Sequence, residues 1–241
     1  MEKLITFENL NQFAYVNHEI CQRPIQGIIL YFPGLNNTNM YPFDTDAGAV
    51  FGEHGLLYVI PYNNPWAWMN RQAVAYTDEI VDVLIDALEL DDHIPVVSTG
   101  RSMGGYGALL YTLRSKRTPV SCIANSPVCD AVYHYTERND LPRTMYSALF
   151  HEPGTLDEAL RAMSPLHQVE QMPRVPYHLF HCTGDTSVDL HRHTEPFVAA
   201  MRETGHEITC DILPGRKHCD LTYAAKRRYV QYVLQDIRRA R

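Results

Sequence analysis

The segment Gly100-Arg101-Ser102-Met103-Gly104 sets a serine between two glycines, each two positions away. It follows an apolar run at 94–99 and opens a helical pattern at 103–114, so it reads as a strand, a sharp turn and a helix. Such a turn holds the serine backbone in a strained conformation, and glycines without Cβ let strand and helix close on it. At the helix N-terminus, Ser102 would meet favourable potential for developing negative charge. The chemistry implied is nucleophilic attack by a hydroxyl; the plain alternative is a glycine-rich turn with a solvated serine.

A serine hydroxyl is a poor nucleophile at neutral pH, so it needs a base within hydrogen-bond reach, and the base needs an orienting acid. With a strand-turn-helix nucleophile the acid and then the His follow in chain order. An apolar run at 177–182 ends in Thr183-Gly184-Asp185, which puts a carboxylate in the loop beyond a strand. Asp185 is the first choice, Asp189 is the alternative, and either aspartate could instead cap a helix. The run at 207–213 leads through Pro214 and Gly215 to His218, ahead of the last helix, so His218 is the expected base. The pair His191 and His193 raises the question of a metal, but rings two apart on a helix diverge and no third ligand is evident, so no metal is expected.

Acyl transfer also needs two donors aimed at an oxyanion. The N–H of Met103 supplies one; the other is expected from Leu35, or from Asn36, after the strand that ends Phe32-Pro33-Gly34. Both tryptophans, Trp66 and Trp68, lie in a loop at the C-terminal end of another strand, where α/β sheets bind ligands. Asn36, Trp66, Trp68 and Arg101 are therefore the expected substrate-binding residues.

These positions require a sheet that presents several strand ends at one edge. Short apolar runs at 27–32, 56–60, 94–99, 120–124, 177–182 and 207–213 read as strands, and helical periodicity at 71–90, 103–114 and 196–204 alternates with them. The pattern implies a mostly parallel sheet with helices on both faces. Residues 4–10 and 13–20 are expected to form an antiparallel edge pair. From about 129 to 173 the alternation breaks into short helical pieces, read as an insertion or lid within a single domain spanning 1–241.

The chain has 241 residues, 45% of them hydrophobic, which suits one full-sized core. A net charge of −7 argues against nucleic acid or an anionic membrane surface and favours a neutral or modestly polar small molecule. No stretch approaches the roughly 20 apolar residues of a membrane span and no leader precedes residue 11, so a cytoplasmic protein is expected. The six cysteines include no C-x-x-C pair and read as reduced thiols.

Taken together, Pro33-Gly34, Ser102-Met-Gly-Gly-Tyr-Gly-Ala-Leu109, Thr183-Gly-Asp185 and His218 resemble the α/β-hydrolase superfamily over nearly the whole chain. The run after Ser102 and the segment Met163-Ser-Pro-Leu166 look like prolyl oligopeptidase-like catalytic domains and related small esterases. The resemblance implies an α/β-hydrolase fold and a serine hydrolase without cofactor. Two departures stand out: no propeller domain restricts substrates to short peptides, and the oxyanion loop reads Phe-Pro-Gly where many lipases have His-Gly-Gly. The expectation is cleavage of small soluble carboxylic esters through an acyl-enzyme. Its alternatives are a peptidase or acylaminoacyl-type hydrolase using the same residues, and an inactive hydrolase fold that binds a ligand or partner.

Overall fold

The computed structural model describes residues 4–241. Seven strands form one sheet: β1 (Ala14–Val16), β2 (Gly27–Phe32), β3 (Leu56–Pro61), β4 (Val96–Arg101), β5 (Ser121–Asn125), β6 (Tyr177–Cys182) and β7 (Ile208–Leu213). Their spatial order is β1-β3-β2-β4-β5-β6-β7. Only β1 runs antiparallel to its neighbour; the other pairings are parallel. This is the α/β-hydrolase fold, with a mostly parallel sheet between helical layers.

Parallel strands buried on both faces need apolar side chains on both, and β2 supplies them. Ile28 and Leu30 enter one core and Ile29 the other, all fully buried, each such side chain contributing about 1.5–3 kcal/mol. The first core packs helices α2 (Arg71–Ala87), α3 (Met103–Arg114) and α7 (Thr194–Glu203). The second packs α1 (Asp46–Gly52) and α8 (Tyr223–Arg239). In α2 the expected stripe is buried through Ile80, Val81, Leu84 and Ile85, and Asn70 caps the helix by accepting the N–H of Ala73.

The N-terminal edge differs from the expected antiparallel pair. Residues 4–10 form no strand, because Asn9 folds them into a turn: its Oδ1 accepts the N–H of Thr6 and its Nδ2 donates to the carbonyl of Leu4. Only Ala14–Val16 is extended, and it pairs with β3. Between β5 and β6 lie α4 (Ala131–Glu137), α5 (Leu141–Leu149), α6 (Leu156–Ala162) and a 3₁₀ turn (Pro165–Gln171), where the sequence breaks its alternation. Among the described residues no helix is long and apolar enough to cross a membrane.

Register fixes where the chemistry can sit. Phe32 pairs with Gly100, Arg101 with Asn125, and Asn125 with Phe180, so the C-terminal ends of β2, β4, β5 and β6 open on one edge. The loops that follow carry residues 34–36, 102, 126 and 185.

Candidate active site

Ser102 sits between the last residue of β4 and the first of α3 with φ 55° and ψ −125°. This is left-handed backbone that L-residues avoid, at a cost of order 1–3 kcal/mol. Hydrogen bonds on both sides hold it: its N–H donates to the carbonyl of Asn125 at 2.9 Å, and its carbonyl accepts Tyr106 N–H at 3.0 Å. The flanking glycines are steric necessities. A Cβ on Gly104 would lie 1.9 Å from the carbonyl oxygen of Phe32, and one on Gly100 would lie 2.1 Å from that of Gly104.

Asp185 follows β6, and its carboxylate is fully buried. Its Oδ1 accepts the N–H groups of Ser187 and Val188 at 2.9 and 3.0 Å, and its Oδ2 lies 2.6 Å from Nδ1 of His218. Burial pushes its carboxyl up, but the bonds from His218, Val188 and Ser187 outweigh that and hold it down at about 2. Asp189, the alternative acid, faces elsewhere; its Oδ1 accepts His191 N–H and its carbonyl accepts the N–H groups of Arg192 and His193, a local turn.

Two bonds tie the loops of Asp185 and His218 together: Gly184 N–H donates to Arg216 carbonyl, and Gly215 N–H to the Thr183 hydroxyl. Beyond His218, Cys219 takes a left-handed φ of 59°. Its carbonyl accepts Asn125 Nδ2 at 3.1 Å and its N–H donates to Ser126 Oγ, which anchors the loop on the end of β5. Its Sγ lies 3.5 Å from Nε2 of His218, the nitrogen turned away from Asp185. Burial disfavours charge on this imidazole, yet its bonds to Asp185 and Cys219 and their charges outweigh that and raise it to about 9. The contact with Asp185 thus favours the protonated ring, and a proton must leave that form before it can act as a base.

Ser102 and His218 line one cavity of about 400 Å³ with Gly34, Leu35, Asn36, Trp68, Arg101 and Met103. No hydrogen bond joins the Ser102 hydroxyl to His218 among the described residues. A larger hollow of about 510 Å³ lies at the opposite edge of the sheet, between Pro24, Leu88 and Arg241, and no serine or cysteine lines it.

The oxyanion loop separates its two candidates. The N–H of Asn36 is engaged by the carbonyl of Pro65 at 3.3 Å, whereas the amides of Leu35 and Met103 have no partner among the described residues. Trp68 reaches the cavity; it is almost fully buried and donates through Nε1 to Thr144 Oγ1 at 3.1 Å. Trp66 does not line the cavity. It acts one residue removed, donating its indole N–H to the Asn36 side chain beneath the guanidinium of Arg143, 5.2 Å from its ring.

The insertion contributes the wall residues His134, Arg138 and Leu141, of which sequence reasoning missed His134 and Leu141. His134 and His193 both contact the carboxylate of Glu137, the latter at 3.2 Å. His193 Nδ1 accepts the N–H groups of Cys129 and Asp130, so its proton sits on Nε2, directed at Glu137, and protons bridge the cluster. The helical spacing of His191 and His193 gave no sign of this, because the partners come from α4, 56 residues and more away. All six cysteines are free.

A family model described as the prolyl oligopeptidase family matches residues 66–238. No curated protein matches the sequence. Among solved structures, a puromycin-hydrolyzing peptidase of Mycobacterium tuberculosis superposes with a TM-score of 0.74 at 14% identity, over 91% of this chain and 35% of that one. An acylaminoacyl peptidase of Pyrococcus horikoshii does so at 0.66 and 15%, over 87% and 36%. An S-formylglutathione hydrolase from Agrobacterium tumefaciens gives 0.71 and 18%, over 95% of this chain and 89% of that one. The chain thus spans about a third of the two peptidases' length and most of the third protein's.

Proposed function

The chain belongs to the prolyl oligopeptidase family of serine hydrolases, and from that premise we propose that it cleaves carboxylic esters of small soluble substrates through an acyl-enzyme on Ser102. The observation that carries the reading is the 2.6 Å contact of Asp185 Oδ2 with His218 Nδ1 beside a cavity that Ser102 also lines. Ser102 Oγ attacks the acyl carbon and its proton passes to Nε2 of His218. The amides of Leu35 and Met103 stabilise the resulting oxyanion. The C–O bond to the alcohol breaks as His218 returns the proton to the leaving oxygen. Water then repeats the sequence on the acyl-enzyme and releases the acid. Asp185 keeps the imidazole in the tautomer that presents Nε2 to Ser102.

The ester reading is supported by the likeness to the S-formylglutathione hydrolase, which superposes over 95% of this chain. Family membership favours the second reading, an aminoacyl or acylaminoacyl peptidase with the same three residues. The one domain of residues 1–241, with its insertion as a wall of the cavity, would take either substrate. Six free thiols suit a reducing compartment such as the cytoplasm.

The test is a panel of p-nitrophenyl esters against aminoacyl anilides, run on the wild type and Ser102→Ala, with fluorophosphonate labelling alongside. Ester turnover and a single label on Ser102, both lost in the variant, support the reading. Faster turnover of anilides moves the protein to the peptidases, and labelling elsewhere removes Ser102 as nucleophile.

A further inference from the structure

We propose that the cavity beside Ser102 selects acyl compounds carrying a negatively charged group, a carboxylate, bound by Arg101 with Arg138 as the second cation. The inference rests on the hydrolase reading above and names its substrate class. The starting observation is a contrast between the chain and its cavity. The sequence carries a formal charge of −7, yet two arginines and no aspartate or glutamate line the cavity. A cleft lined by one sign of charge concentrates ligands of the other sign, and here the local field opposes that of the whole molecule. This departs from the neutral substrate that overall composition suggests.

The state of each arginine sharpens the argument. Arg101 immediately precedes the nucleophile and its side chain is exposed. Among the described residues it forms no ion pair; its guanidinium approaches only the hydroxyl of Tyr31. Arg138, at the end of α4, gives Nε and Nη2 to the two oxygens of Asp140 at 2.9 and 2.7 Å, which leaves Nη1 without a partner. That pair is solvent-exposed and therefore weak, so an incoming carboxylate can add to it or displace it.

The neighbouring carboxylates are already engaged. Asp185 accepts from His218, Ser187 and Val188, and Glu137 from His134 and His193, and neither lines the cavity. His218, raised by its contact with Asp185, offsets the charge of that carboxylate. A guanidinium suits the task because its planar fork matches a carboxylate with two parallel, charge-assisted hydrogen bonds.

The experiment compares matched p-nitrophenyl and alkyl esters that differ only by a free carboxylate or its carboxamide. One pair carries the charge on the acyl side and the other on the alcohol side. kcat/KM is measured for the wild type, Arg101→Gln and Arg138→Gln, with Ser102→Ala as blank. The expected wild-type result is a preference for the charged member of at least one pair by tenfold or more. That ratio falls about tenfold in Arg101→Gln and by a smaller factor in Arg138→Gln. A wild-type ratio at or below one in both pairs, or a ratio that survives both substitutions, overturns the proposal while leaving the hydrolase intact. Failure to turn over any ester, charged or neutral, overturns the hydrolase reading itself.

Discussion

Replacing Asp185 by Asn should change the pH at which the enzyme becomes active as well as its rate. His218 is held as a cation up to about 9, against an ordinary value of 6.5. The acyl-transfer step needs the neutral ring, so kcat/KM of the wild type should rise with pH and reach half its plateau near pH 9. At pH 7 only about one imidazole in a hundred is neutral on that basis, and kcat/KM should climb on the order of a hundredfold between pH 7 and the plateau. Burial opposes the cation; the hydrogen bond to Asp185 favours it most, followed by the hydrogen bond and charge of Cys219 and then the charge of Asp185. In Asp185→Asn the Asp185 contributions vanish, and the midpoint should fall toward the ordinary histidine range.

Catalysis falls in the same variant, by roughly 10³- to 10⁴-fold at the plateau, because an amide at this position favours the wrong imidazole tautomer. The two effects separate in one assay. Initial rates with a p-nitrophenyl ester across pH 5–10, corrected with Ser102→Ala, give both midpoint and plateau. Cys219→Ala should also lower the midpoint while leaving the tautomer intact. A wild-type limb that levels off near pH 6.5 and stays there in Asp185→Asn would refute the reasoning, since the 2.6 Å contact would then not govern the proton on His218.

Asp189→Asn should keep kcat/KM within about threefold of wild type, as the Asp189 side chain bonds only within its own turn; a loss near that of Asp185→Asn in the same ester assay would reverse the choice of acid. Gly104→Ala should destabilise by about 3 kcal/mol or more, read as a drop in Tm or as insoluble protein, because its Cβ meets backbone at 1.9 Å; a Tm within a degree of wild type would show that the elbow is looser than described. Iodoacetamide should stop turnover by alkylating Cys219, whose Sγ lies 3.5 Å from His218 Nε2, and Cys219→Ala should resist it; mass spectrometry locates the adduct. For Glu137, burial raises the carboxyl, but bonds from His134 and His193 outweigh it and hold it at about 2. Its stabilising contribution is therefore present above its ordinary value of 4.5 and lost as pH falls toward 2. Glu137→Gln should cost about 1–3 kcal/mol near neutrality, and urea melts should show the difference shrinking in acid.

The path of the chain from strand to Ser102 was legible because local steric rules write it: only Gly fits at 100 and 104, and the apolar runs carry the sheet. The candidate acid was legible as a residue type beyond a strand, with Asp185 preferred to Asp189, and the loops after β6 and β7 set Asp185 beside His218. Leu35 was preferred in sequence with Asn36 as the alternative; the carbonyl of Pro65, 29 residues beyond Asn36, takes the Asn36 amide. The misread N-terminus has a local cause, since apolar residues at 4–10 suggested a strand while Asn9 closes a turn on them. The insertion gave least. Its short helices owe their placement to contacts such as those of His134 and Glu137 with His193 on the approach to α7, which no periodicity records.

The backbone strain has a distribution that follows from the sheet. Of the seven non-glycine residues with positive φ among the described residues, Asn36, Trp68, Ser102 and Cys219 line the cavity, and Ser126 bonds to Cys219. Such conformations cost of order 1–3 kcal/mol each and persist only where surroundings over-determine them. Parallel strands supply that over-determination, because register fixes where Phe32, Arg101 and Asn125 end and so aims each following loop at one edge. The strain at Ser102 is then borne by the carbonyl of Asn125 and the packing of Gly100 against Gly104, and the strain at Cys219 by the side chains of Asn125 and Ser126. Asn125 thus braces both the serine and the loop that carries His218. A substitution such as Asn125→Ala, which removes the bond to Cys219 and keeps the carbonyl that holds Ser102, should lower ester turnover by releasing the histidine loop while fluorophosphonate still labels the serine.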